Sequence, residues 1–149
     1  MTNQMIADRN KQLRIVAEML LVHLPAALDD PALARDLLTV VSLAIRAANA
    51  DAEKTTSAWD KRAYHLKADQ LRREWLWAPG AANYAAGLAD RPQPPTQADL
   101  QKLHALVGCP LERPRRLRYK DPEAFRGSRE ANRRREQREG RQVPKRSLV

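Results

Sequence analysis

The chain has 149 residues, 43% hydrophobic and only 5% aromatic, with five glycines and a formal net charge of +9. That length suits one compact domain with an extension rather than two domains, and a core of Leu, Ala, Val and Ile favours helices over sheets. No run approaches the roughly 18 apolar residues of a membrane span, charges interrupt the opening "MTNQMIADRNKQLR" before a signal-peptide core can form, and the lone Cys109 excludes an internal disulfide. A soluble, cytoplasmic protein is expected. No structural metal is expected, because His23, His65 and His104 have no ligand spacing beside that cysteine.

Residues 4 to 24 place Met5, Ile6, Leu13, Val16, Ala17, Leu20, Leu21 and Leu24 at intervals near three and four, the period of an amphipathic helix that Pro25 would end. A second helix is predicted from Asp30 as N-cap and Pro31 at the first helical position. Its run Leu37, Leu38, Val40, Val41, Leu43, Ala44, Ile45, Ala47 is apolar around most of the circumference, which places it at the centre of the body.

The stretch "WDKRAYHLKADQLRREWLWA" follows. Ser57 and Asp60 have capping-box spacing, and Tyr64, Ala68, Leu71, Trp75 and Ala78 form a helical stripe widened by Trp59, Ala63 and Leu66. The spacing predicts a third long helix with these aromatics in the core. Arg62, Lys67, Arg72 and Arg73 would form a secondary basic or partner face, and Trp77, off the stripe, would be either that face's exposed aromatic or part of a wider buried face. A break is expected at Pro79-Gly80, then a short Ala-rich turn or helix over 81 to 88 and a proline-rich bend. "TQADLQKLHALVG" reads as a short helix capped by Thr96 and Asp99 and closed by Gly108, with Leu100, Leu103, Leu106 and Val107 buried.

Beyond Cys109 the composition changes. Residues 112–149 carry 14 Lys or Arg against 6 Asp or Glu, a net +8, whereas residues 1–111 carry 13 against 12. In "PLERPRRLRYKDPEAF", Arg113, Arg115, Arg116, Arg118 and Lys120 alternate with Pro114, Leu117 and Tyr119, so an extended segment could align cations along phosphates while Tyr119 stacks on a base. Arg129, Arg133, Arg134, Arg135 and Arg138 would add phosphate contacts on a helix starting near Asp121. Phe125 is that segment's only large apolar side chain, so its order is expected to come from a partner. Residues 141–149 are expected to be flexible.

Catalytic chemistry has little support. His65 and Asp69 are the nearest thing to an acid–base pair and read as a surface contact four residues apart. Cys109 reads as an inert packing cysteine, and no glycine-rich phosphate loop, HExxH or paired CxxC occurs. A membrane-surface helix would need bulky apolar residues among its cations, whereas the 129 to 138 cluster has only Ala131. In size, helicity and basic balance the chain resembles the small helical subunits of CRISPR effector complexes and the basic four-helix accessory proteins of diversity-generating retroelements. The resemblance is one of shape and charge, and it carries no functional residue.

The expectation is an all-α bundle of three long helices and one or two short ones over residues 1–108. An arginine-rich extension over 109–149 would be partly flexible or ordered on a partner. The expected role is non-enzymatic nucleic-acid binding within a ribonucleoprotein, RNA favoured over DNA, with a protein partner or self-association, no cofactor and no membrane insertion. The alternative is a helical protein–protein adaptor whose basic tail is a solvated or nonspecific polyanion-binding end.

Overall fold

Helix signals dominate the chain, and the computed structural model, which describes the backbone of residues 3–142 and the side chains of residues 8–140, is all-α, with no strand among the described residues. Helix α1 (Asn3–Glu18) runs into a π-helical turn (Met19–His23) and a last short turn, α2 (Leu24–Ala26), so the helix passes through Pro25 before stopping. Val16, Ala17, Leu20 and Leu24 are buried as their spacing predicts, Leu13 and Leu21 are half-buried, and Met19, outside that stripe, is buried as well. The side chains of Met5 and Ile6 lie outside the described residues.

Helix α3 (Pro31–Lys61) begins as its local signals require, with Pro31 in the first turn and the Asp30 carboxylate accepting from Leu33 N–H at 3.2 Å. It is the central element, packing on α1, α4 (His65–Glu74), α5 (Trp77–Asp90) and α7 (Ser128–Gln142). At 31 residues it spans about 45 Å.

The third long helix is a correction. Residues 57–78 are shared among the end of α3, α4 and the start of α5, so Ser57 lies inside a helix and caps nothing. The chain leaves α3 through Ala63, whose φ of 62° is left-handed. Ala63 N–H donates to Asp60 O at 3.0 Å and Tyr64 N–H to Trp59 O at 2.8 Å, which is the Schellman pattern that satisfies the last carbonyls of a helix. This turn rotates the expected stripe. Ala68 and Leu71 stay buried, Trp75 is half-buried, and Tyr64 and Leu66 are exposed, Leu66 by 86%.

The predicted break at Pro79-Gly80 also moves, to residues 75–76. Pro79 instead occupies the third position of α5, where its missing N–H has no intrahelical partner to lose. The Ala-rich segment is thus a 14-residue helix. Ala78, Ala81, Ala82, Ala85 and Ala89 are buried against α3, and their small size lets the two axes approach closely. Ser42 on α3 donates to the Ala82 carbonyl at 2.9 Å across that seam.

Helix α6 (Gln97–Leu106) has the predicted capping box from Thr96 and Asp99. Burial pushes the Asp99 carboxyl up, but hydrogen bonds from Arg91 and Thr96 outweigh it and hold the group below the usual aspartate range. Leu100, Leu103 and Val107 are buried, whereas Leu106 is exposed. Gly108 does not close α6 as a left-handed cap, since Val107 is the C-cap and Gly127 is the glycine with positive φ. A Cβ at Gly108 would lie 2.5 Å from Trp77 Cγ, so the residue allows close approach of the indole.

Candidate nucleic-acid interface

Pro110 and Pro114 keep the chain after α6 out of helix, and residues 107–121 run across the bundle as an extended strap. The strap is tied down by a residue remote in sequence. Glu18, at the end of α1, is 2% exposed, and its carboxylate accepts from Arg118 N–H at 2.5 Å and Tyr119 N–H at 2.9 Å. His23 Nε2 lies 3.1 Å from the same carboxylate. An α-helix would turn residues 18 and 23 well apart. The π-helical turn between them, with Leu24 N–H reaching Met19 O, brings the two side chains together.

Cys109, Leu111, Tyr119 and Phe125 pack against the core, and Tyr119 meets Phe125 edge-on with ring centroids 5.0 Å apart. Burial pushes the Cys109 thiol up, which keeps it protonated and weakly nucleophilic. A 3₁₀ turn (Pro122–Phe125) leads to Gly127 and α7, so the helix starts later than the sequence predicts. A second buried carboxylate receives it: Asp36 on α3 accepts from Gly127 N–H at 2.8 Å and Arg129 N–H at 3.0 Å. The acid thereby caps the helix from another element. Of the terminal segment expected to be flexible, residues 143–149 and the side chains of 141–142 lie outside the described residues.

The two arginine clusters have different surroundings. On α7, Arg129 and Arg133 approach Asp90 at 3.0 and 3.6 Å, Arg134 approaches Glu130 at 3.5 Å and Arg135 approaches Glu139 at 3.9 Å. Arg138 is the member of that cluster without an ion pair among the described residues. On the strap, the side chains of Arg113, Arg115, Arg116, Arg118 and Lys120 make no ion pair among the described residues. Arg14, on α1, joins Arg113, Arg115, Arg116 and Arg118 around a cleft of about 610 Å³ whose walls include Ile15, Ala17, Pro114, Leu117 and Tyr119. Sequence reasoning missed Arg14, because nothing local announces that the strap docks on α1. It also missed Glu18 and Asp36, although an acid on the apolar side of a helix is itself a signal of a required partner.

The secondary basic face divides. Arg62 and Arg73 are exposed, and Lys67 stands 5.9 Å from both the Trp59 and Tyr64 rings. Arg72 binds Asp60 and, at 2.9 Å, Asp69. Trp77 lies on a different helix, half-buried against the core with its ring 5.2 Å from Trp75. The expected His65–Asp69 contact is replaced by His65 Nδ1 to Asp60 at 3.0 Å, because Asp69 faces Arg72. Hydrogen bonds from Arg72 first and then His65 hold the Asp60 carboxyl below its ordinary range.

Among the described residues no group of three His, Cys, Asp or Glu side chains is placed to hold a metal ion, and no helix is long and apolar enough to cross a membrane. No family model, curated protein or solved structure matches the chain.

Proposed function

We propose that the protein is a non-enzymatic nucleic-acid-binding subunit of a ribonucleoprotein assembly, with RNA favoured over DNA. The observation that carries this reading is the gathering of Arg14, Arg113, Arg115, Arg116 and Arg118, all without ion pairs among the described residues, around one cleft. Guanidinium groups at close quarters repel one another, and phosphates that accept their paired N–H groups relieve that repulsion. Arg129, Arg133, Arg134 and Arg135 already have carboxylate neighbours, so they contribute less than the strap.

The test uses the full chain. Arg115→Gln/Arg116→Gln/Arg118→Gln and Arg133→Gln/Arg134→Gln/Arg135→Gln are compared for binding to labelled single-stranded RNA, duplex RNA and duplex DNA across a salt series. The strap variant is expected to weaken binding about tenfold or more at low salt and to reduce the logarithmic salt slope by about 0.7 to 0.9 per lost phosphate contact. The α7 variant is expected to lose less. Unchanged affinity in the strap variant would sink the reading.

One observation favours the adaptor as a second reading. Tyr64, Leu66 and Leu76 are exposed by 52%, 86% and 74% around α4, toward the end of α3 opposite α7. A protein partner covering these side chains and Arg73 would leave the arginine strap for nucleic acid.

A further inference from the structure

The cleft between α1 and the strap has a shape and lining that phosphate binding alone does not require. Its walls include apolar side chains of Ile15, Ala17, Pro114 and Leu117, while Arg14 comes from one side and the strap arginines from the other. Two acids line the cleft beside the arginines: Glu18, whose carboxylate is occupied by two backbone N–H groups and His23, and Glu112, an exposed carboxylate outnumbered by the five guanidinium groups. A volume of about 610 Å³ falls within the range of pockets that enclose small organic molecules. A convex duplex can lay its phosphates along such a rim, but its bases remain stacked and expose only their edges in the grooves. An unstacked base presents both faces, and apolar walls and guanidinium planes are the surfaces on which such bases rest.

We infer that this cleft admits one unstacked base of a single-stranded nucleic acid, with the flanking phosphates held by the guanidinium rim of Arg14, Arg113, Arg115, Arg116 and Arg118. The inference rests on the nucleic-acid reading and narrows its ligand to single strands. Leu117 is the side chain that distinguishes base from phosphate: it carries no charge, lies on the strap and is 37% exposed, so trimming it leaves the core intact.

The experiment measures equilibrium binding of the full chain to three probes of one length: a single strand with bases, the same strand made largely of abasic nucleotides, and the duplex. Wild type, Leu117→Ser and Arg14→Gln are compared after their thermal unfolding is shown to be unchanged. The base-bearing single strand is expected to bind about tenfold or more tighter than the abasic strand, the contribution of one stacked base. Leu117→Ser is expected to erase most of that difference without weakening the abasic probe, and Arg14→Gln to weaken both strands together. Equal binding of base-bearing and abasic strands, or duplex binding as tight as single-strand binding, overturns the base pocket while leaving nucleic-acid binding in place. Absence of binding to all three probes overturns the nucleic-acid reading and this inference with it.

Discussion

Ala63 holds a left-handed backbone conformation that glycine adopts without steric cost, and its exposure leaves room for the change. Ala63→Gly is expected to stabilise the protein by about 1 kcal/mol, raising Tm by about 2–4 °C, because Cβ crowding costs about that much in this region. A differential scan of the purified variant checks it, and a lower Tm contradicts the assignment of the turn. Gly108 is the opposite case. Gly108→Ala drives a methyl group into the Trp77 ring and is expected to cost about 1–3 kcal/mol, with a change in tryptophan near-ultraviolet dichroism. Gly87→Ala serves as its control, since nothing lies within 4 Å of an added Cβ there. Neither role was legible in the sequence. Alanine at the end of α3 lacks the usual glycine signature, and Gly108 looked like a helix stop although its neighbour is an indole thirty-one positions earlier.

Among the elements, the starts of α3 and α6 were legible because Asp30 and the Thr96–Asp99 pair act within one turn of chain. The boundaries of α4 and α5 were not, although the helical character of both segments was, because alanine and leucine at helical spacing continue equally well through a real break. Asp30 has a second task that its sequence position hides: its carboxylate also takes Arg126 at 2.6 Å, and Arg126 is held in turn by Glu123. Hydrogen bonding from Arg126 is the first cause that keeps both the Asp30 and Glu123 carboxyls below their ordinary 3.8 and 4.5. A depressed carboxylate favours the folded state fully above its unfolded pKa and loses that contribution as pH falls through the folded value. Acid is therefore expected to loosen the turn before α7 below about pH 4, and Arg126→Gln to flatten that part of the stability profile. Acid titrations of both proteins followed by dichroism measure it, and superimposable profiles contradict it.

Across the whole molecule, two buried acids decide where the basic segment lies. Glu18 and Asp36 accept from four backbone N–H groups of the segment beyond α6, so they join the arginine-rich region to the bundle through main chain and leave its guanidinium groups outside. Glu18→Ala leaves the Arg118 and Tyr119 N–H groups and His23 without their acceptor and is expected to cost about 2–4 kcal/mol. Trypsin should then cut at Arg115 and Arg116 faster than in wild type, and equal cleavage rates would show that Glu18 does not hold the strap. Ending the chain at Gly108 would strip the same acids of their donors, so such a truncation perturbs folding together with charge. Helical class, the central place of α3, two helix caps and the separation of a near-neutral body from a basic segment were determined by the sequence itself, because periodicity, capping and charge act over a few neighbouring residues. The docking of the strap on Glu18, the enlistment of Arg14 and the approach of Asp90 to Arg129 and Arg133 were decided by tertiary structure. Each depends on which distant donor, acceptor or side chain packing brings within about 4 Å, and no local pattern encodes that distance.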